Sequence, residues 1–201
     1  MHPRHYLFWL IDDRCPNRCV YCGVASGRGA RARLDNDDLL RVAGQVAAAG
    51  FEEVQIAGGE PLVAPGLPIV LARLKGRCRV SLFSGGGVQG EAAARAVETL
   101  RGRVDRIVFS LDIADEAEND RLRGRPGATR DLLRLVRLVR RDLPTMDVSF
   151  NSVVSRANIG SIAGLWDWIR PFGPSSWSLS LVADNLGAGQ DAHVPVRSDL
   201  E

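Results

Sequence analysis

The sequence predicts an α/β fold built on parallel strands, and three observations predict it. Six short runs rich in branched and aromatic residues alternate with stretches whose apolar residues recur at helical spacing. Most of those runs are bounded by Gly, Pro or Asp. Each chemically unusual segment directly follows or closes one of the runs, which would gather them on the rim where such folds carry their sites. Strand–helix alternation requires crossover connections, hence parallel strands in a sheet or a barrel.

In chain order, the first strand is expected over 6–11, and the loop after it holds Cys15, Cys19 and Cys22. Leu39, Val42, Ala43, Val46 and Ala47 make an apolar helical stripe that Gly50 stops. The second strand, 53–57, runs into Gly58-Gly59-Glu60-Pro61, and a helix follows over 67–74. The third, 79–83, meets Ser84-Gly85-Gly86-Gly87 before a helix over 92–100. The fourth, 107–111, closes on Ser110-Leu111-Asp112, with a helix over 132–139. The fifth, 146–154, carries Asn151 and precedes a helix over 159–169. The sixth, 177–182, leads to Asp184-Asn185. Ser198 and Glu201 are spaced as a capping box, so a helix starts where the sequence stops. The last helix is therefore expected to be missing or truncated.

With 201 residues the chain suits one domain, taken as 1–201 with a C-terminal end open to truncation. It contains no apolar run of membrane-spanning length and no signal pattern, which gives a cytoplasmic expectation. A net charge of +2 points to neither nucleic acid nor a membrane surface. The arginines between 121 and 141 read as a solvated basic face, since no aromatic residues interleave with them to stack bases.

Three cysteines within eight residues favour metal or redox chemistry over disulfides. Thiolates are soft ligands for iron–sulfur clusters and zinc. A closed zinc site needs four ligands and the local run supplies three, so a zinc knuckle would need Cys78 or a histidine. Buried structural thiols are a further alternative, and Cys78 itself, ahead of the third strand, reads as structural. The run from Gly85 to Gly90 matches G-x-G-x-x-G, with Asp112 about twenty residues on, as in an NAD-binding dehydrogenase. That fingerprint normally opens its domain, whereas here it falls in the third unit, so this alternative is remote.

The spacing C-x3-C-x2-C, with Tyr21 before the third Cys and Gly58-Gly59-Glu60-Pro61 after the second strand, resembles the radical S-adenosylmethionine (SAM) superfamily. The run from Asp13 to Cys22 is similar to the opening of its molybdenum-cofactor and peptide-maturase branch. Ser110-Leu111-Asp112, Asn119-Asp120, Arg123-Gly124, Asn151 and Asn158-Ile159 resemble later segments of that branch, without cysteines for auxiliary clusters. The resemblance implies an incomplete parallel (β/α)6 barrel. It implies a [4Fe–4S] cluster on Cys15, Cys19 and Cys22, with SAM completing the fourth iron. Gly58, Gly59, Glu60 and Pro61 would receive the methionine ammonium, and Tyr21 would lie by the adenine. Ser110, Asp112 and Asn151 would meet ribose or carboxylate. A flavodoxin or ferredoxin would supply one electron, and a 5′-deoxyadenosyl radical would abstract hydrogen from a small-molecule or peptide substrate. The outcome would be oxidoreductase, transferase or lyase chemistry. The reading from another class is a non-catalytic iron–sulfur and SAM-binding partner or fragment. Asp12 and Ser84-Gly85-Gly86 depart from the Thr and Thr-Asn-Gly common at those places.

Overall fold

Apolar residues recur at alternate positions along the central strand runs because one face of the sheet must be covered by helices, and a computed structural model shows the result for residues 5–24 and 33–182. The strands are β1 (Tyr6–Leu10), β2 (Glu53–Ala57), β3 (Arg79–Ser84), β4 (Arg106–Ser110), β5 (Asp147–Val154) and β6 (Ser176–Leu181). They lie in sequence order, every neighbouring pair is parallel, and the sheet curls into a half-barrel. The helices are α1 (Asn36–Ala48), α2 (Leu67–Leu74), α3 (Gly90–Leu100), α4 (Glu116–Arg123), α5 (Ala128–Asp142) and α6 (Ile162–Ile169). The incomplete α/β barrel expected from the sequence is the observed architecture. The expectations for Asp184-Asn185, for the Ser198 capping box and for a missing closing helix lie outside the described residues.

The core sits between the convex face of the sheet and the helices. Val54, Ile56, Val80, Leu82, Ile107, Phe109, Val148 and Phe150 point outward and pack against apolar residues of α2, α3 and α5. Phe109 and Phe150 are register partners with ring centroids 6.0 Å apart. The concave face is polar at the strand N-termini. There Ser81 Oγ donates to Glu53 at 2.6 Å, and Asp147 pairs with Arg106 at 2.7 Å and Arg79 at 3.1 Å. These groups pair with one another across the strand N-termini, while a cavity opens toward the C-terminal ends.

Of the helices, α4 is the one the apolar pattern does not announce. Its sequence is polar and Leu122 is its lone buried aliphatic residue, so no stripe marks it. Its ends are well defined nonetheless. The Asp115 side chain accepts from Glu118 N at the N-terminus, and Gly124 turns left-handed (φ 63°) at the C-terminus. Trp168 and Phe172 pack against the core, whereas Trp166 is exposed and stacks on Trp177 at 5.8 Å. Among the described residues no helix is long and apolar enough to cross a membrane.

Because Phe109 is completely buried at the middle of the sheet, Phe109→Ala should cost about 3–5 kcal/mol in denaturant unfolding. A loss below about 1 kcal/mol would show that the outer face is not the core.

Candidate functional site

The loop after β1 carries three cysteines in a stretch with no regular structure, so its position depends on borrowed hydrogen bonds. On one side β1 and β2 continue their pairing beyond the strands. Gly59 N donates to Asp12 O at 2.8 Å and Glu60 N to Arg14 O at 2.7 Å. Asp12 Oδ1 accepts from Arg14 N at 2.7 Å, so the residue that departs from the resemblance caps the start of the loop. On the other side lies the C-terminus of α4, whose last carbonyls have no partner within the helix. Arg18 N donates to Arg123 O at 2.9 Å and Val20 N to Leu122 O at 3.0 Å.

The glycines around this loop are there for packing. A Cβ on Gly58 would overlap Asp12 O, one on Gly59 would overlap Arg14 O, and one on Gly124 would overlap Arg18 O. The glycines after β3 obey the same rule: a Cβ on Gly87 would strike Pro16, and one on Gly86 (φ 72°) would strike Leu132. Within the G-x-G-x-x-G run, Gly85 and Gly87 face Asn17 and Pro16 of the cysteine loop, whereas Gly90 has open space around it and a left-handed φ of 51° at the start of α3.

Between the loop and the C-terminal ends of the strands opens a cavity of about 690 Å3. Cys15, Cys19, Cys22, Tyr21, Gly58, Gly59, Glu60, Ser110 and Asn151 all reach its wall. Two expected residues do not. Pro61 is buried at the start of a 3-10 turn (Pro61–Val63), and Asp112 lies behind the wall, 1 % exposed. Asp112 is held there because each of its polar groups is taken by the protein. Its Oδ1 accepts from Val153 N at 2.8 Å, and its Oδ2 accepts from the Tyr21 hydroxyl and pairs with Arg123 Nη2 at 2.7 Å. Its backbone is bound by Asn119 Oδ1 and Asn158 Nδ2.

Glu60 reaches the cavity, but its carboxylate is turned inward. Oε1 accepts from Leu62 N at 3.1 Å and Ser84 Oγ at 2.9 Å, and Oε2 accepts from Gly85 N at 2.8 Å. Burial pushes this carboxyl upward, and the donors from Leu62, Ser84, Gly85 and Gly87 oppose the shift. Glu60 thus ties the end of β2 to the end of β3. Asn151 Oδ1 accepts from Ser178 and Ser180, each at 2.9 Å, which leaves its amide nitrogen as a donor beside Ser110.

No disulfide joins any of the four cysteines. Burial pushes the Cys15 thiol up to about 12; the Asn17 backbone opposes this, and Glu60, Cys19 and Cys22 add to it. Burial also raises Cys19, opposed by the Arg123 guanidinium beside it. Among the described residues no three His, Cys, Asp or Glu side chains converge on a single metal-ion position. The three thiols instead line one shared cavity, which fits a group with several metal atoms. Cys78 is partly buried against the core, remote from this wall.

Two arginines read from sequence as solvated turn inward. Arg123 is 6 % exposed and stands between Tyr21, Asp112 and Cys19. Arg125 Nε donates to Asn17 Oδ1 at 2.7 Å while its Nη1 pairs with Asp131 at 2.7 Å, and Gln89 donates to the same carboxylate at 2.6 Å. Asn17, Arg125, Asp131 and Gln89 therefore bind the cysteine loop to α5 and to the start of α3. Gly124 and Gly127, both with positive φ, bracket this stretch and are the sequence signal that the chain turns there.

A half-barrel of six parallel strands, with a three-cysteine loop over its C-terminal rim, defines a class of cofactor-binding scaffold. The chain belongs to the radical SAM superfamily, whose family model matches residues 9–158. The cofactors of that family are a [4Fe–4S] cluster and SAM. It is 25% identical to a PqqA peptide cyclase of Granulibacter bethesdensis, over 95% of this chain and 51% of that protein. It is 37% identical to a GTP 3',8-cyclase of Geobacter sulfurreducens, over 54% of this chain and 34% of that one. The fold matches Streptococcus suis SuiB bound to S-adenosylmethionine with a TM-score of 0.75 at 18% identity, over 97% of this chain and 44% of that one. Native anSMEcpe with bound AdoMet matches at 0.76 and 14% identity, over 98% of this chain and 57% of that one. The chain spans about half the length, or less, of these curated relatives.

The packing of Gly59 makes a definite expectation. Gly59→Ala forces the Arg14 carbonyl away, so it should cost about 1–3 kcal/mol and reduce retained iron and SAM affinity together. Full iron content with only SAM affinity lost, measured by iron assay and equilibrium dialysis, would show that the glycine faces the ligand.

Proposed function

We propose that residues 1–201 form one radical SAM core in which Cys15, Cys19 and Cys22 ligate three irons of a [4Fe–4S] cluster and SAM occupies the rest of the cavity. The observation that carries this reading is that the three thiols and the Gly58-Gly59-Glu60 segment wall the same cavity. Its size suits a small-molecule site, and the donor set is soft and incomplete, as a cluster with one open iron requires. When bound, the pair supplies one-electron cleavage of a SAM carbon–sulfur bond and a hydrogen-abstracting 5′-deoxyadenosyl radical. The chain's residues bind and orient. The backbone at Gly58 and Gly59, with Ser110 and Asn151, offers polar groups to the methionine and ribose ends. Tyr21 lies at the adenine side, and Phe8, Leu10 and Phe83 make an apolar wall that limits water near a reactive species. Glu60, Pro61 and Asp112 act by holding those groups in place.

The substrate is proposed to be a peptide or small molecule, since relatives named as peptide and nucleotide cyclases share the scaffold. The electron donor is proposed to be of flavodoxin or ferredoxin type, and the setting cytoplasmic.

Anaerobically reconstituted protein should hold about four irons and four sulfides and, with dithionite, release methionine and 5′-deoxyadenosine from SAM. Cys19→Ala should lose most of the iron and all cleavage. Stoichiometric zinc without sulfide would overturn the cluster reading. An intact cluster without cleavage would favour a non-catalytic SAM-binding partner.

A further inference from the structure

We propose that Arg123 sets the reduction potential of the cluster from behind Cys19, an inference that rests on the cysteine reading above. Burying a guanidinium is costly, and exchanging a buried ion pair for apolar packing is often neutral or stabilising. Arg123 is nonetheless placed with care. Its Nη1 lies 3.9 Å from Cys19 Sγ, its Nη2 lies 2.7 Å from Asp112 Oδ2, and its guanidinium carbon stands 5.8 Å from the centre of the Tyr21 ring. The contact with Asp112 is close but poorly aligned for a hydrogen bond, and Nε has no hydrogen-bond partner among the described residues. The pair is therefore held by charge, and its fork is left facing the cavity wall that Cys19 shares.

The backbone fixes this placement. Arg123 is the last residue of α4, its carbonyl accepts from Arg18 N within the cysteine loop, and Gly124 ends the helix directly after it. The loop and the residue that carries the cation are thus joined through the backbone. Arg14, by contrast, lies nearer the cysteines in sequence but is substantially exposed and paired with Asp12. Among the described residues Arg123 is the buried cation held against one of these cysteine sulfurs.

A cluster with three thiolates is net negative and gains one further negative charge on reduction. No bond is made or broken in that step, so the neighbouring charges decide its midpoint. A cation against Cys19 Sγ favours the reduced form through low-dielectric Coulomb attraction and a charge-assisted N–H···S contact. Asp112 opposes it from farther back, which tempers the effect. Arg123 is accordingly a positioning residue acting through Cys19.

The test is a mediator titration of the reconstituted holoprotein with dithionite, without SAM, monitored by electron paramagnetic resonance. Arg123→Gln should lower the reduced-to-oxidised ratio at fixed potential about tenfold, a shift of about 59 mV to more negative values for one electron. Arg123→Lys, which keeps the charge, should stay near the wild type. A double variant, Arg123→Met with Asp112→Asn, removes both charges, keeps an acceptor for Val153 N and leaves no orphaned ion. It should also titrate at more negative potential, since the lost cation is the charge beside the sulfur. Wild-type potential in the double variant at full iron content would overturn the inference, whether or not Arg123→Gln folds. An Arg123→Lys shift as large as that of Arg123→Gln would overturn it too. Wild-type protein that assembles no cluster would remove the cysteine reading first and this inference with it.

Discussion

Three thiols can serve one cofactor only if an irregular loop is held still, and the loop has too little apolar content to hold itself. The solution is borrowed backbone pairing. Asp12 and Arg14 carbonyls accept from Gly59 and Glu60, while Arg18 and Val20 donate to the last carbonyls of α4. Beside these contacts the Asp12, Arg14 and Arg18 carbonyls come too close to 58, 59 and 124 for a side chain there, which explains why glycine stands at those positions. The loop is thereby fixed to two different β/α units, and the cavity is the space left between them.

Two buried carboxylates, Asp112 and Glu60, fasten this frame. Asp112 gathers Tyr21, Arg123 and Val153, and its backbone is bound by Asn119 and Asn158, so β4, β5, α4 and the cysteine loop meet at one buried group. Burial works against the Arg123 cation, but Asp112, Tyr21 and Cys19 beside it hold its pKa above the ordinary value, so it remains charged. Glu60 does the equivalent work between β2 and β3. Removing either carboxylate would loosen the frame on which the cavity wall rests.

Much of this was legible in the sequence, for physical reasons. Parallel strands covered on their convex face leave dense, short apolar runs, so all six strands could be placed within a few residues of the observed bounds. The thiol spacing and the Gly58-Gly59-Glu60-Pro61 segment marked the rim. Helix α4 was illegible to the apolar pattern because its work is done by backbone carbonyls at its C-terminus, although Asp115, Glu118 and Gly124 carry capping signals. The inward turn of Arg123 and Arg125 was hidden for a similar reason. A charged residue is read as solvated unless its partner is known, and the partners Asp112, Asn17 and Asp131 come from distant segments or across a turn. Asp112 and Pro61 were placed on the correct rim, yet behind the wall.

The central claim is that the polypeptide, independent of any cofactor, holds the cysteine loop in position. Amide hydrogen exchange of cluster-free protein tests it most directly, at Arg18, Val20, Gly59 and Glu60. The account predicts protection of all four comparable to that of the β2 and β4 strand amides, with little further gain when the cluster is loaded. Exchange at unprotected rates in the cluster-free protein, with protection appearing only on loading, would contradict it.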